Sequence, residues 1–377
     1  MKDQLPQEVL QQIFSYLAGN QKTLHACSLT SRSWYSASIV YLYENPMITG
    51  NNFNAFVRAI CPSVNAHIRR NGLAELVRRL DMSSLVHNGS KSLTARLLGR
   101  VKTRLEEFVA PQASFAVNCL AALSKCSNLR HLDLSFVSES ISITDLLRST
   151  SLLSKLESLH LPRSSAHDAA RDLLICNWPA TLRELHISGG IHDGPLMSLT
   201  TLPPSLSRLS IENCPHLSMV SIGSILRNKG SQLHHLEIVA PIPALTYDHK
   251  PLSGYMEHVP NLLYLKISLD FVSRSFLLSE NDKGEQYPLR QLDLDCFDPA
   301  DCDTFTAYDV WAAIAYDSGF GRVRKVRVHR RLGWAATTEG KEQVKDLDDL
   351  LKALAREDGA NAEIQEADAG VVLFGKR

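Results

Sequence analysis

The fourteen histidines are the side chains of this sequence that titrate nearest neutral pH. His160, His186 and His234 recur at similar places in successive short apolar stretches, so a regular fold would place them on one face. Imidazoles gathered in this way could bind a metal ion or respond to pH. No set of cysteine or aspartate ligands accompanies them at a metal-site spacing, and solvated histidines are the commoner arrangement. We therefore expect neither a metal nor another cofactor.

The sequence also lacks the motifs of known catalytic chemistry. It contains no His-Glu-x-x-His, no Gly-x-Ser-x-Gly, no phosphate-binding loop with its lysine and no Gly-x-Gly-x-x-Gly after a strand. Its eight cysteines include no Cys-x-x-Cys pair, which argues against zinc ribbons, RING fingers and thioredoxin-like redox pairs. The sequence therefore predicts that the protein is not an enzyme.

Composition excludes some partners. Lys+Arg 40 balances Asp+Glu 40, so no net charge draws the protein to nucleic acid or to an anionic membrane. The N-terminus lacks the long apolar core of a signal peptide, and no apolar run approaches the ~20 residues that a membrane helix needs. We expect a soluble protein of the cytoplasm, the nucleus or both.

A repeated frame, apolar-x-x-apolar-x-apolar, indicates the elements that position the polar side chains. Its spacing runs from 24 residues (Leu105 to Leu129) to 34 (Leu289 to Val323). This period matches leucine-rich repeats, which are roughly 20–29 residues long. The frame begins at Val77, Leu105, Leu129, Leu156, Leu182, Leu206, Leu233, Leu262, Leu289 and Val323. The copies at Val77, Leu105 and Val323 are degenerate, and the Leu105 copy is the weakest.

The frames predict an α/β fold, a curved leucine-rich-repeat solenoid of about ten repeats over residues 76–331. Parallel strands would line the concave face, and helices or irregular turns would return on the convex face. The predicted helical returns include Cys119–Leu123, Thr144–Leu153, Ala169–Cys176 and Met219–Arg227. Strand alternation sends the intervening polar side chains to the concave face, which is the candidate surface for a cargo protein. The candidate cargo-binding residues are Arg130, His131, Asp133, Arg183, His186, His234, Tyr264, Lys266, Arg290, Arg324 and Arg327.

The N-terminal segment has a different pattern, with three short helices predicted between residues 5 and 46. Pro6 suits the first turn of a helix, and Gly19-Asn20 ends that helix. One broad face of the helix carries Leu5, Val9, Leu10, Ile13, Phe14 and Leu17. A second segment carries Leu24, Cys27 and Leu29, and Thr30 or Ser31 can cap a third helix containing Trp34.

The stretch LPQEVLQQIFSYL, followed by LHACSLTSRSWYSASIVYLYENP, resembles an F-box, and its closing LYENP is similar to fungal F-box proteins. The resemblance implies a three-helix module over residues 3–48. Such a module docks on the Skp-family adaptor of an SCF-type cullin–RING ubiquitin ligase and, through the adaptor, on the cullin and RING subunits. The residues that it implies for adaptor binding are Leu5, Pro6, Val9, Leu10, Ile13, Phe14, Leu17, Leu24, Leu29 and Trp34. The alternative is a helical cap that only shields the first repeat.

Residues 49–75 read as a packed helical link, with an apolar pattern over Asn52–Ile68 interrupted by Pro62. Residues 341–377 read as a capping helix, Glu342–Glu357, followed by a loose acidic and Ala/Gly-rich tail. Near the end of the array, the insert Phe297–Phe320 carries Tyr308, Trp311 and Tyr316. Core packing is the favoured role of these aromatic residues, and a ligand-facing loop is the alternative.

The last repeat ends in a basic cluster. Its charges could pair with an acidic or phosphorylated degron, but protection of a solvated edge strand from aggregation is the favoured explanation. The cluster contains Arg322, Arg324, Lys325, Arg327, Arg330 and Arg331.

An F-box followed by a repeat array predicts the substrate-recognition subunit of an SCF-type ubiquitin ligase. It would hold a cargo protein for ubiquitylation and proteasomal degradation without supplying a reactive residue itself, because proximity is enough. The alternative is a non-catalytic repeat scaffold that binds the adaptor or another protein without delivering cargo. An enzyme on a repeat fold ranks last. The sequence does not name the cargo.

Overall fold

The structure is a computed structural model of the 377-residue chain. It describes residues 5–62, 72–86, 90–166, 178–193, 202–239, 253–272, 276, 286–297, 305–316, 319–359 and 364–375. The chain divides into two compact units, Met1–Leu182 and Arg183–Arg377, which are described in turn.

Unit 1 begins with three helices, and side-chain caps set the starts of the second and the third. They are α1 (Gln7–Tyr16), α2 (Gln21–Ser28) and α3 (Arg32–Glu44). Asn20 Oδ1 accepts a hydrogen bond from the Thr23 N–H at 3.1 Å, and Ser31 Oγ accepts one from the Trp34 N–H at 3.3 Å. These bonds satisfy N–H groups that a helix start leaves unpaired, so α2 and α3 each have a defined first turn.

A small apolar core joins the three helices. Leu10, Phe14, Leu24 and Ala37 are buried at its centre. The Trp34 ring meets the Phe14 ring edge-on, with 5.5 Å between centroids. An aromatic pair in this geometry adds roughly 0.5–1.5 kcal/mol to the free energy gained by burial. The module is therefore closed by its own side chains.

The rest of unit 1 alternates helices with short parallel strands. The helices are α4 (Phe53–Ile60), α5 (Lys91–Val101), α6 (Val117–Leu123) and α7 (Ile143–Thr150). The strands β1 (Arg79–Asp81), β2 (Glu107–Val109), β3 (His131–Asp133) and β5 (Ser158–His160) pair in that order. A second, two-stranded sheet contains β4 (Ile141–Ser142) and β6 (Ser165–Ala166).

Unit 2 continues the pattern with longer parallel strands. In chain order they are β7 (Glu184–Ser188), β8 (Arg208–Glu212), β9 (His235–Val239), β10 (Tyr264–Ser268), β11 (Gln291–Asp295), β12 (Lys325–His329) and β13 (Gly370–Phe374). Each pairs with the next. The helices of the unit's described residues are α8 (Met219–Lys229), α9 (Ala307–Ala315) and α10 (Thr338–Glu357).

The apolar frame sets the strand register. Leu80, Phe108, Leu132 and Leu159, which occupy the fourth frame position, lie side by side in unit 1. In unit 2 the same position aligns Leu209, Leu236, Leu265, Leu292 and Val326. All of these side chains are at most 1% exposed. A slip of one residue would turn this row toward the solvent, so apolar burial specifies the register.

A second row is made by backbone carbonyls at the second frame position. The Arg78 carbonyl accepts hydrogen bonds from the N–H groups of Glu106 and Glu107 at 2.7 and 3.0 Å. The carbonyls of Glu106 and Arg130 accept two bonds each in the same way. In unit 2 the paired acceptors are the carbonyls of Arg183, Ser207, His234, Leu263 and Arg290. We call these two rows the carbonyl ladders of units 1 and 2.

These observations confirm the predicted fold class, in which N-terminal helices precede an α/β region with parallel strands. The weakest frame, which starts at Leu105, also forms a strand, β2. Leu105, Phe108 and Ala110 are all fully buried, because the small Ala110 fills the sixth position where other copies have a larger residue. Val64, Ile68 and the predicted helix Ala169–Cys176 lie outside the described residues.

Helix α5 was not predicted from the sequence. The sequence feature that indicates this helix is the N-cap residue Ser90, which is followed by apolar residues at helical spacing. Ser90 Oγ accepts a hydrogen bond from the Leu93 N–H at 3.3 Å. Leu97, Leu98 and Val101 are buried by this helix.

The C-terminal tail differs from the loose segment that was predicted. Gly370–Phe374 forms β13, which pairs in parallel with β12, and the Val371 N–H donates to Asp348 Oδ1 at 2.8 Å. The tail was predicted to be loose because acidic and small residues dominate its composition, although it ends in a short apolar run, Val371–Phe374. Because β12 has a partner on each side, the favoured edge-strand explanation of the basic cluster is wrong.

The aromatic residues of α9 also differ from the core packing that was favoured. The helix buries Ala307, Val310, Ala313 and Ile314 instead. Tyr308 is 52% exposed and Tyr316 is 73% exposed. Their spacing fits the helix, but it places them on its outer side.

No helix in the described ranges is both long enough and apolar enough to span a bilayer.

We expect Phe14→Ala to lower the free energy of unfolding of unit 1 by about 3–5 kcal/mol, because it removes a fully buried ring and leaves a cavity beside Trp34. Urea unfolding of the full chain, followed by circular dichroism, measures the change. The control is Tyr16→Ala on the same helix, where the ring is 81% exposed and the change should stay within about 0.5 kcal/mol. Equal effects of the two variants would contradict the described core.

Candidate protein-interaction surfaces

Helix α1 carries apolar side chains on two faces. Leu10 and Phe14 point into the core of the three-helix module. Leu5, Val9, Ile13 and Tyr16 are 50%, 39%, 39% and 81% exposed. Val9, Ile13 and Tyr16 lie three and four residues apart on α1, so they share one side of the helix. Together with Leu5, which precedes the N-cap Pro6, they make up what we call the outer apolar stripe. The module core is complete without the stripe, which leaves its apolar surface free for a partner.

The residues predicted to bind an adaptor fall into three groups. Leu5, Pro6, Val9, Ile13 and Leu29 are exposed. Leu10, Phe14 and Leu24 are buried in the module core, and Leu17 and Trp34 are half-buried against it. The structure thus gives the first group a surface position and the other five residues a position in the packing. Sequence reasoning missed Tyr16, although it follows Ile13 at helical spacing.

The module is attached to the first strand frame by backbone bonds. The Arg78 N–H donates to the carbonyl of Glu44, the last residue of α3, at 3.0 Å. The Arg78 guanidinium also lies 3.5 Å from the Glu44 carboxylate. Ser84 Oγ donates to the Ile48 carbonyl at 2.6 Å. Glu44 therefore supplies the first acceptor of the unit 1 carbonyl ladder, and the segment predicted as a packed link contains α4.

The second surface consists of polar side chains at the third, fifth and seventh frame positions, which we call the polar strand face of each unit. In unit 1, His160 Nδ1 lies 3.4 Å from Asp133 Oδ2, and the Ser135 N–H donates to Asp133 Oδ1 at 2.8 Å. Burial opposes ionisation of Asp133, but the hydrogen bonds from His160 and Ser135 outweigh it and lower its pKa to about 2. Asp133 is therefore ionised at neutral pH.

On the polar strand face of unit 2, charges alternate along the row of fifth positions. Glu237, Lys266, Asp293 and Arg327 are neighbours on β9 to β12. Lys266 Nζ lies 2.7 Å from Glu212 and 3.5 Å from Glu237. Arg327 lies 2.9 Å from Asp293, whose side chain is only 2% exposed. Each charge in this row has an opposite partner.

Aromatic rings complete this row. His235 stacks on Tyr264 with 3.9 Å between ring centroids and 7° between ring planes. The Tyr264 hydroxyl donates to Asp293 Oδ2 at 2.9 Å. Burial and then the nearby carboxylates of Asp293 and Glu237 raise the pKa of Tyr264, so its hydroxyl keeps its proton and remains a donor.

The predicted cargo-binding residues occupy two different places. His131, Asp133, His186, Tyr264, Lys266 and Arg327 lie on the polar strand faces. Arg130, Arg183, His234, Arg290 and Arg324 lie one residue before a strand, at the second frame position. Arg324 is 7% exposed, and its guanidinium donates to Asp358 at 2.7 Å. The polar strand face also includes His235, Glu237 and Asp293, which are not among the predicted cargo-binding residues although each lies next to a buried fourth-position leucine.

The three histidines that the sequence predicts on one face do not hold equivalent places in their frames. His160 and His186 are strand residues, whereas His234 precedes β9. Across the part of the chain that the structure describes, no three His, Cys, Asp or Glu side chains are placed to hold a metal ion. Burial raises the pKa of Cys126 and of Cys214 to about 12, so both thiols stay protonated as small apolar groups.

Comparison with known proteins defines the N-terminal module. The profile described as the COS11 F-box domain matches residues 3–88. The chain therefore carries an F-box domain, and the resemblance seen in the sequence is confirmed. The match runs beyond the predicted 3–48, through α4 and β1, which the bonds of Glu44 and Ile48 also tie to the helices.

Two yeast proteins are similar along most of the chain. F-box protein YDR306C of Saccharomyces cerevisiae is 29% identical over 377 aligned positions, which cover 94% of this chain and 75% of that protein. Protein pof5 of Schizosaccharomyces pombe is 26% identical over 358 positions, which cover 94% of this chain and 97% of that protein.

Two solved structures are distant matches. The crystal structure of the Rad7 and Elc1 complex in yeast aligns with a TM-score of 0.38 and 15% identity, covering 98% of this chain and 96% of that one. The TLR13–ssRNA13 complex aligns with a TM-score of 0.30 and 16% identity, covering 68% and 48%.

We expect Glu237→Gln to destabilise unit 2 by about 1–3 kcal/mol at pH 7, because the neutral amide loses its charge-assisted contacts with His235 and Lys266. Burial opposes ionisation of Glu237, but the His235 hydrogen bond and the Lys266 charge lower its pKa from 4.5 to about 2. A carboxylate whose pKa is lowered by folding stabilises the folded state at pH values above its ordinary pKa. This stabilisation is lost as the pH falls toward 2. The difference between variant and wild type should therefore shrink below pH 4.5.

Urea midpoints measured at pH 7, 4.5 and 3 would follow this convergence. The matched control is Glu357→Gln, which removes an exposed carboxylate on α10 and should leave the midpoint unchanged at each pH. A difference for Glu237→Gln that is constant across this range would show that the Glu237 charge does not stabilise the fold.

Proposed function

We propose that the chain is the substrate-recognition subunit of an SCF-type E3 ubiquitin ligase. In this proposal the F-box domain binds a Skp-family adaptor and, through it, the cullin and RING subunits. The observation that carries it is the outer apolar stripe of an F-box domain whose core is already closed. Three exposed apolar side chains in a row on one helix, with a fourth just before it, are typical of a surface that a partner covers.

The strand units are the proposed cargo-binding part, and we assign them as leucine-rich repeats. Their alignment of one strand per frame at leucine-rich-repeat spacing supports this assignment. Parallel strands in such arrays present a continuous row of side chains to a partner. The polar strand faces offer hydrogen-bonding and charged groups rather than an apolar patch, so we expect a polar and charged segment of a cargo protein there.

The role needs no reactive side chain in this chain. Holding a cargo beside a charged ubiquitin-conjugating enzyme converts an encounter in solution into a reaction between neighbours. The proposed outcome is proteasomal degradation of the cargo in the cytoplasm or nucleus. The Glu44–Arg78 link supports this role, because it couples the adaptor-binding module to the first repeat without a flexible tether.

We expect the double variant Val9→Glu with Ile13→Glu to weaken adaptor binding at least about a hundredfold, because it places two charges in an apolar interface. Both side chains are exposed in the free chain, so the fold should stay intact. Calorimetric titration of the purified chain with the Skp-family adaptor measures the affinity, and circular dichroism checks the helices.

The matched control is Gln7→Glu with Gln11→Glu. It adds the same charges to the same helix at the same four-residue spacing, but on the side away from the stripe. The control should bind like the wild type. Unchanged binding by the Val9 and Ile13 variant would contradict the stripe as the adaptor surface. Adaptor binding without recruitment of the cullin would favour the scaffold that does not deliver cargo.

For the cargo surface, we expect Arg208→Glu with Lys325→Glu to stop the turnover of the cargo while leaving adaptor binding intact. Both cations lie at third frame positions on the polar strand face of unit 2, and Arg208 has only a loose pair with Glu184 at 3.8 Å, with 62% of its side chain exposed. Reversing them changes the charge of the face at little cost to stability.

Proteins that accumulate when the gene is deleted are the candidate cargo. Their half-lives, measured after each variant is re-expressed, show whether turnover is restored. The wild type should restore turnover, and so should a control with the same charge change off the face, Lys229→Glu with Lys341→Glu. Full rescue by the Arg208 and Lys325 variant would place cargo binding elsewhere. If no protein changes its half-life on deletion, the receptor role itself fails.

A further inference from the structure

A cavity of about 350 Å³ lies between α9 and α10 in unit 2. Tyr308 and Trp311 line it from α9, and Gln343, Asp346 and Asp349 line it from α10. None of these residues belongs to a strand, so the cavity is separate from the polar strand face and from the outer apolar stripe. Its volume is within the range of pockets that accept a ligand or an anchoring side chain.

The aromatic side of the cavity consists of two parallel rings. The Tyr308 and Trp311 rings stack on each other, with 5.7 Å between centroids and 17° between planes. Tyr316 meets Trp311 edge-on, with centroids 6.0 Å apart and an angle of 87°. Burial of Ala307, Val310, Ala313 and Ile314 already anchors α9. The fold therefore does not need these rings to anchor the helix, and the ring faces that do not stack on each other can contact a ligand.

The opposite side of the cavity is negative. Asp346 and Asp349 are exposed and lie three residues apart on α10. Two lysines flank these carboxylates on α10: Lys345 directly precedes Asp346, and Lys352 gives its hydrogen bond to Asp348 at 2.7 Å. Within the described ranges, the Asp346 carboxylate has neither a hydrogen bond nor an ion pair. This contrasts with the row of fifth positions on the polar strand face of unit 2, where the carboxylates of Glu237 and Asp293 each have a cation beside them.

Electron-rich ring faces beside carboxylates attract a cation. A methylated ammonium is held best when rings surround it, whereas the two rings that line the cavity, Tyr308 and Trp311, lie parallel to each other and do not surround a space. A guanidinium is planar, stacks on a single ring face and presents paired N–H donors to carboxylates near that ring. The shape and charge of the cavity thus favour arginine over lysine or a quaternary ammonium.

We propose that the cavity between α9 and α10 binds an arginine side chain of a protein partner. The guanidinium stacks on Trp311 and donates hydrogen bonds to Asp346 and Asp349. The partner is a protein because the lining residues stay largely exposed, with Tyr308 at 52%. A free small ligand would need deeper enclosure, whereas an arginine is held in place by the chain that carries it. The proposal does not depend on the ubiquitin-ligase role.

The test uses the full chain labelled with ¹⁵N-tryptophan, whose four indole N–H signals report on separate sites. Trp311→Phe identifies the Trp311 signal. The probe is the peptide acetyl-Gly-Arg-Gly-amide, compared with the same peptide carrying lysine, trimethyl-lysine or glycine at the centre. We expect the arginine peptide to shift the Trp311 signal saturably and the signals of Trp34 and Trp178 to stay in place. The lysine and trimethyl-lysine peptides should need several-fold higher concentrations.

The double variant Asp346→Asn with Asp349→Asn keeps the indole reporter and should raise the half-saturating concentration of the arginine peptide roughly tenfold or more. Its matched control, Glu357→Gln with Asp368→Asn, removes two exposed carboxylates of unit 2 outside the cavity and should bind like the wild type. Three results would overturn the proposal: no Trp311 shift, equal effects of the arginine and lysine peptides, or unchanged binding by the Asp346 and Asp349 variant.

Discussion

The two carbonyl ladders are the constraint on which the rest of this structure depends. At most second frame positions, one carbonyl accepts the N–H groups of two consecutive residues in the next repeat of its unit. These bonds fix where each strand begins, and the fourth-position leucines then fall into one buried row. Register fixes both sides of the sheet at once, because a strand displaced by one residue exchanges its two faces. The polar strand face is therefore a direct consequence of the ladder.

The same bond explains why the F-box domain is continuous with the first repeat. The last turn of a helix leaves carbonyls without partners. In α3 one of them, at Glu44, accepts the Arg78 N–H and so occupies the place that a preceding repeat would fill. One hydrogen bond thus satisfies both a carbonyl at the end of α3 and an N–H group at the start of the sheet. The 3–88 span of the matching F-box profile, which includes β1, agrees with this shared boundary.

Much of this arrangement could be predicted from the sequence, because apolar burial has a period. The period gave the parallel strands and most of their frames, and helical spacing gave the three-helix module. Polarity alone could not distinguish the second frame position from the third, because Arg290 and Gln291 are both polar. Alternation from the buried Leu292 puts Gln291 on the polar strand face, and the backbone bonds put Arg290 before the strand. Nor could composition reveal β13, since Val371–Phe374 gains its stability from pairing with β12 and not from its own pattern.

The surfaces of this protein differ in what a partner must displace. A partner on the polar strand face of unit 2 competes with ion pairs already made, since Asp293 holds Arg327 and Glu212 holds Lys266. The ion pairs within this face are broken without loss only by a segment that supplies equivalent charged or hydrogen-bonding groups. This requirement favours selective binding over high affinity. At the outer apolar stripe and the cavity beside Trp311, a partner displaces mainly water. Tight, constitutive attachment suits these two sites, and discriminating recognition suits the strand face.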